Sequence, residues 1–403
     1  VEHFLARQPI HDRNGKIFGY ELLFRSGLDN FFDYSDPDRA SSRVIANSFL
    51  LFSIEEMAGG TRAFLNFTRN VLVHDFGSVL PKDHTVVEVL ENVEPDAEVV
   101  AACQRLKAQG FLLALDDFID RPEYAPLLDL ADIIKVDFLV CDAATRADYA
   151  ARFLPRGIRL LAEKVETLED YQMALELGYH YFQGYYFSRP VIVSRRDIPT
   201  AKLPYLRILR EVNAVDIDFP RLAEAIQGEV ATSYKLLRYI NSAFFGLRKP
   251  VTSIVQALAL LGEREFKKWI SLLSLAELTT DKPTELLNLS LIRGKFCEMA
   301  APLLGYTQRD EDLFLMGLFS LLDAILERPL EEVLAAIPMA ADTHQALLGE
   351  AGKLCTLLQL ATVMERGEWS ALPMLTSELQ IDEDRLAPLY VAAVRWTNQA
   401  VTI

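Results

Sequence analysis

Phe111-Leu112-Leu113-Ala114-Leu115-Asp116-Asp117 decides how the first half of this chain is read. Five apolar residues, the length of a strand, run straight into two aspartates. Gly110 stands in front as the stop of an amphipathic segment, Asp96 to Gln109, which places Val99, Val100, Cys103 and Leu106 on one helical stripe. Helix, glycine, strand and acid together make one strand-helix unit.

The same unit recurs outward from this stretch. Short apolar runs occur at Phe4-Leu5-Ala6, Ile17-Phe18-Gly19-Tyr20, Ala63-Phe64-Leu65, Thr85-Val86-Val87, Ile133-Ile134, Ile158 to Leu161 and Tyr179 to Phe182, with helical segments such as Ser42 to Met57 between them. Each later run ends on a polar residue: Glu21, Asn66, Glu88, Asp116-Asp117, Lys135, Glu163 and Gln183, at intervals of 45, 22, 28, 19, 28 and 20. These intervals suit one strand-helix unit each, the first being long enough for two. Polar residues gathered at strand C-terminal ends are where a (β/α)₈ barrel builds its active site.

After Pro190 the pattern changes. Arg195-Arg196-Asp197 and Pro199 to Pro204 mark a boundary, and helical periods follow almost without strand signals. The expected division is a barrel over 1–195, a linker over 196–204 and a helical domain over 205–403, an α/β plus all-α chain. Helices are expected at Leu222 to Ser233, Tyr234 to Ser242, Ser253 to Leu261 and Glu263 to Leu278, then around 285–303, 310–326, 330–336, 343–366, 370–379 and 382–401.

Composition bounds the function. At 403 residues, 51% apolar and 24% charged, the chain is ordinary globular material for two or three domains. With 41 Lys and Arg against 57 Asp and Glu, the net charge of −16 opposes nucleic acid and anionic membrane as partners. Cys103, Cys141, Cys297 and Cys355 form no metal-binding or disulfide spacing. No apolar stretch approaches 18 residues and the start has no secretory pattern, so a cytoplasmic protein is expected.

Glu21, Asn66, Glu88, Asp116, Asp117 and Glu163 at one barrel mouth are too many uncompensated oxygens to sit together without cations. Hard oxygen ligands suit Mg²⁺ or Mn²⁺, and two such ions would clamp a phosphodiester and generate hydroxide from water. Lys135 would orient that water and offset charge. The same acids read structurally are partners of Lys135 and Lys164 in ion pairs.

Residues 1–190 resemble the EAL domain family, bacterial cyclic di-GMP phosphodiesterases. The matching segments are Gln8-Pro9-Ile10, Glu21-Leu22-Leu23-Phe24-Arg25, Leu65-Asn66-Phe67, Glu88-Val89-Leu90-Glu91, Asp116-Asp117-Phe118, Lys135-Val136-Asp137, Ala162-Glu163-Lys164-Val165-Glu166-Thr167 and Gln183-Gly184-Tyr185. The resemblance implies Glu21, Asn66, Glu88, Asp116, Asp117 and Glu163 as metal ligands. It implies Lys135 and Gln183 around the attacking water, Gln8 and Arg25 at the substrate, and Glu21 and Glu163 in the catalytic set. Two departures stand out. The family's glycine-rich turn after the Asp-Asp pair, a support of the metal site and a dimer contact, is here Phe118-Ile119-Asp120-Arg121-Pro122-Glu123-Tyr124. Lys164 stands where glycine is usual, a cation placed to compete with a metal for Glu163.

Residues 205–403 resemble the HDOD domain, a helical relative of HD-type phosphohydrolases, through Leu236 to Leu247, Pro250 to Ile254 and Gln256 to Gly262. Asn241-Ser242 beside Phe244-Phe245-Gly246 reads as a capped helix end followed by a glycine turn. From residue 201 onward the only histidine is His344, and Gly317 to Asp323 offers no His-Asp pair, so this domain assembles no HD metal site. The pairs Arg248-Lys249 and Lys267-Lys268 read as solvated faces. The combined expectation is hydrolysis of cyclic di-GMP to linear pGpG by the barrel, with the helical domain regulating it or contacting an unknown protein partner, and a homodimer implied by the resemblance. The alternative is a silent barrel that senses cyclic di-GMP or serves as a scaffold.

Overall fold

The computed structural model describes residues 3–26, 54–74, 80–184, 199–214, 216–241 and 251–401. The chain divides into two compact units, Val1–Arg189 with Met364–Ser370, and Pro190–Val363 with Ala371–Ile403. The expected helix before Met57 is described only over Ile54–Met57. The remainder of that segment, Arg195-Arg196, Ser242 to Gly246 and Arg248-Lys249 lie outside the described residues.

The first unit is a closed eight-stranded barrel whose strands neighbour one another in chain order. They are β1 (His3–Asp12), β2 (Ile17–Ser26), β3 (Arg62–Phe67), β4 (Thr85–Val89), β5 (Leu112–Leu115), β6 (Ile133–Asp137), β7 (Arg159–Glu163) and β8 (Tyr181–Phe182). From β2 to β8 each pair is parallel. The expected eight-stranded barrel is present, and within it β1 runs antiparallel to both β2 and β8. The turn explains this: Asp12 Oδ1 accepts the Asn14 and Lys16 backbone N–H groups at 2.8 and 2.9 Å, and Gly15 takes φ 74°. So short a connection joins antiparallel strands, whereas a parallel pair needs a crossover of a dozen or more residues.

Ile10, Phe64, Val86, Ala114, Ile133, Leu161 and Tyr181, drawn from seven strands, pack into one buried cluster, with Phe18 and Leu112 against it. Side chains along a strand repeat their face every second residue. Two positions beyond these core residues come Asn66, Glu88, Asp116, Lys135, Glu163 and Gln183, so each polar group sits above an apolar floor. Gln8, on the reversed β1, lies two positions before Ile10 and pairs in register with Glu21 of β2.

The helix Ala97–Gln109 shows how the outer layer is set. Asp96 caps its start, accepting from the Glu98 and Val99 backbone, and Gly110 ends it at φ 96°. Val99, Ala102, Cys103 and Leu106 are buried. Val100, expected on this stripe, is half-buried.

The second unit is helical. Its helices are Leu203–Val212, Phe219–Gln227, Val230–Ile240, Ile254–Leu278, Thr284–Ala300, Asp310–Phe319, Leu322–Leu326, Leu330–Leu334, Ala341–Leu347, Lys353–Arg366, Leu372–Leu379 and Leu386–Val401. The first begins inside the stretch expected as linker and buries Ile208, Leu209 and Val212. Pro204 lies in its opening turn, where a missing N–H breaks no helical bond, so it starts a helix rather than interrupting one. Gly262 leaves helical geometry at φ 74° and ψ 166°, dividing Ile254–Leu278 where two helices were expected. The continuous segments expected at 310–326 and 343–366 are each two helices. A Cβ on Gly317 would lie 2.4 Å from the Arg293 carbonyl and from Gly294 N, so two helices here touch backbone to backbone. No described helix is long and apolar enough to cross a membrane.

Candidate active site

Lys135 is the centre of the barrel mouth. It is fully buried on β6, and its Nζ lies 2.7 Å from Glu88 Oε1, Asp116 Oδ1 and Glu163 Oε1 and 3.5 Å from Glu21 Oε2. Burial pulls the ammonium towards neutrality, but the carboxylates outweigh it and hold Lys135 well above the ordinary lysine value. The structural pairing read from the sequence is therefore present at Lys135, yet one ammonium faces four carboxyl groups.

The amides complete the ring. Gln183 Nε2 donates to Glu21 Oε2 at 2.8 Å and to Gln8 Oε1 at 2.9 Å, and Asn66 Nδ2 donates to Glu21 Oε1 at 3.4 Å. Both amides thus spend their donors on acceptors and turn their own oxygens elsewhere. Among the described residues, Asn66 Oδ1, Gln183 Oε1, Asp117 Oδ1 and both Glu88 carboxylate oxygens are buried without a hydrogen bond. Glu88 Oε1 has its short ion pair with Lys135, in a poor hydrogen-bond geometry. Leaving so many acceptors buried is costly unless a cation satisfies them.

The electrostatics agree. Burial pushes the Glu163 carboxyl up to about 8 despite Lys135, and pushes the wholly buried Glu88 well above the carboxylate range. One oxygen each from Asp116, Asp117 and Glu163 lies within 4.8 Å of the others, a spacing one divalent ion can bridge. The donor set is all oxygen and fits a hard divalent cation.

Lys164 does not oppose Glu163 as expected. Its Nζ bonds Asp137 Oδ2 and lies 3.8 Å from Asp117 Oδ2. Burial works against the Asp137 charge, but Lys164 and the Leu139 and Val140 backbone N–H groups prevail and hold its carboxyl low. The sequence motif Lys135-Val136-Asp137 gives Asp137 no role of its own. Its position two residues after Lys135 on the same strand was the available signal.

The loop after Asp117 lacks the family's glycines but has supports of its own. Phe118 is buried edge-on against Tyr124, Tyr149 and Phe153. The Asp120 backbone donates to Tyr149 Oη at 3.1 Å, Asp120 pairs with Arg152 at 2.8 Å, and Tyr124 Oη donates to the Glu91 carbonyl at 2.8 Å. Arg25 lies on β2 opposite Phe4 in register; its side chain is outside the described residues.

The described residues of the helical unit show no comparable acidic set. Among the described residues the one metal-compatible acidic group is that of the barrel. Asn241 donates to the Val251 carbonyl at 2.8 Å and accepts from Val251 N at 2.7 Å, a structural clamp. Lys268, expected on a solvated face, is buried: its Nζ lies 2.5 Å from Glu298 and sits over the rings of Phe314 and Trp396.

An eight-stranded barrel with this ordered ring, joined to this helical unit, defines an EAL domain followed by an HDOD domain, and the chain belongs to that family. Residues 50–190 match the EAL domain model and residues 198–358 the HDOD domain model. The chain is 34% identical over 398 residues to Cyclic di-GMP phosphodiesterase CdgJ of Vibrio cholerae, covering 98% of this chain and 92% of that one. It is 34% identical over 403 residues to Uncharacterized protein YuxH of Bacillus subtilis, covering 98% of each. Among solved structures it resembles the Bacillus subtilis YkuI protein with an EAL domain, in complex with c-di-GMP and calcium, at 20% identity and TM-score 0.39, over 64% of this chain and 73% of that one.

Proposed function

We propose that the barrel is a divalent-metal-dependent phosphodiesterase that opens cyclic di-GMP to linear pGpG, with the helical unit as its regulatory or protein-contact module. The observation that carries this is the buried excess of oxygen acceptors around Lys135. The full-length similarity to a cyclic di-GMP phosphodiesterase supports the substrate.

In this reading Glu21, Asn66, Glu88, Asp116, Asp117 and Glu163 hold Mg²⁺ or Mn²⁺, which supplies a Lewis acid for the phosphoryl oxygen and lowers the pKa of bound water. Lys135 balances part of the ligand charge and holds three of the carboxylates in one geometry. Gln183, fixed between Glu21 and Gln8, keeps its Oε1 available to orient the attacking water. Gln8 and Arg25 serve the substrate, where a guanidinium fork suits a phosphate. The homodimer and the protein partner of the helical unit belong to the same proposal.

A second reading, binding of the cyclic dinucleotide without turnover, is favoured by two observations: Lys135 ties acids that the metal needs, and the Asp-Asp loop is aromatic rather than glycine-rich. Chromatography of cyclic di-GMP incubated with the full chain and Mn²⁺ separates the two readings. Linear product that disappears with a chelator supports hydrolysis. Retained cyclic nucleotide, with binding in the micromolar range, supports sensing.

A further inference from the structure

Four non-glycine residues among those described have left-handed backbone, and two of them, Asp117 (φ 38°) and Lys164 (φ 53°), stand together at the barrel mouth. Such conformations persist only where the surroundings over-determine them, and they cluster at functional sites. At Lys164 the constraint is visible. A Cβ on Gly184 would fall 2.3 Å from Val165 N, and Val165 N donates to the Gln183 carbonyl at 3.0 Å. The turn after Glu163 is therefore pinned against the end of β8.

Asp117 is the one carboxylate of the proposed ligand set that Lys135 does not hold within ion-pair distance. Its Oδ1 is buried without a hydrogen-bond partner among the described residues, and its Oδ2 faces Lys164 Nζ at 3.8 Å. Glu88, on the neighbouring strand β4, is wholly buried and its oxygens likewise lack hydrogen bonds, but Lys135 Nζ stands 2.7 Å from its Oε1. The two regions differ in that the cation beside Asp117 is the half-exposed ammonium of Lys164.

We infer that Lys164 is a tethered cation on the Asp117 side of the site, so that the barrel takes one divalent ion firmly and a second only at markedly higher concentration. Like charges a few ångströms apart repel, and a second ion at Asp117 must displace the ammonium or bind beside it. Asp137 already holds the Lys164 ammonium as its shorter partner, so the charge stays beside Asp117 as an ion approaches. The second ion is thereby made dependent on concentration, or on a phosphate that brings its own negative charge. The inference rests on the reading of the mouth as a divalent-metal site.

The test is equilibrium titration of the full chain with Mn²⁺, counting free ion by electron paramagnetic resonance, in wild type, Lys164→Gly, Lys164→Met and Lys164→Arg. Glycine suits the backbone at this position, methionine keeps the side-chain bulk without the charge, and arginine keeps the charge. Wild type is expected to show one firm site and a second at least tenfold weaker. Lys164→Gly and Lys164→Met should tighten the second site about tenfold and leave the first unchanged, while Lys164→Arg stays like wild type. Two ions of equal affinity in wild type, or a second site that neither neutral variant tightens, would overturn the inference and leave the metal site standing. No bound ion in any of the four proteins would overturn the metal reading and the inference together.

Discussion

The barrel mouth and the aromatic pocket of the helical unit both bury a lysine among acids, and they do so with opposite charge balance. Lys135 faces Glu21, Glu88, Asp116 and Glu163. In the helical unit, Lys268 and Lys295 share the single Glu298, at 2.5 and 2.8 Å, and both lie over the ring of Trp396. There the extra positive charge rests on an aromatic face, which is a complete structural solution. At the mouth the extra negative charge has nothing to rest on among the described residues. A buried cluster that closes its own charge is architecture, whereas one that leaves acceptors over is arranged for a guest.

Removal of the central cation has the largest expected effect. Lys135→Met leaves the carboxylates buried without their shared partner and is expected to destabilise the metal-free barrel by about 3–5 kcal/mol, read as a large fall in the denaturant midpoint. A midpoint close to wild type would show that solvent or protonation replaces Lys135 without difficulty.

A pH profile sharpens the contrast next. Glu163 titrates near 8 in the folded barrel, far above its unfolded value, so between the two the native state binds the extra proton. Its stabilising effect is present at low pH and is lost as pH rises through 8. His11 has the opposite sign: burial lowers it to about 4, so its effect is confined to the range below about 6.5. From pH 6.5 to 8 Glu163 should therefore cost the metal-free barrel on the order of 2 kcal/mol, with Glu88 adding in the same direction, and Glu163→Gln should make the slope shallower. A wild-type slope equal to that of the variant would contradict the assignment.

The smallest effect belongs to the balanced cluster. Lys268→Met keeps the apolar stem over Phe314 and Trp396 and leaves Glu298 paired with Lys295, so a loss of only about 1 kcal/mol is expected. A loss as large as that of Lys135→Met would erase the distinction between the two regions.

Most of the mouth was legible in the sequence because a strand repeats with period two. Once Ile133, Leu161 and Tyr181 are core, Lys135, Glu163 and Gln183 must face the same interior. What escaped depended on partners distant in sequence or on local context. The direction of β1 was not read, although the short Asp12–Lys16 turn carried the signal of a hairpin. Pro204 looked like a break because the helix it opens has no strong cap; Lys202 at its N-cap makes no side-chain cap bond. Lys164 was assigned to its sequence neighbour Glu163, although its left-handed backbone turns it towards Asp137 and Asp117. The pair Lys267-Lys268 looks solvated in any linear reading, since Trp396 and Glu298 lie far along the chain.

The excess of acceptors at the barrel mouth makes it a divalent-cation site. Thermal unfolding of the metal-free chain with and without saturating Mn²⁺, in wild type and in Asp116→Asn, tests this most directly. Binding to the folded state alone must raise the melting temperature, so a rise of several degrees is expected in wild type and little or none in the variant. Identical melting of wild type with and without Mn²⁺ would contradict the claim.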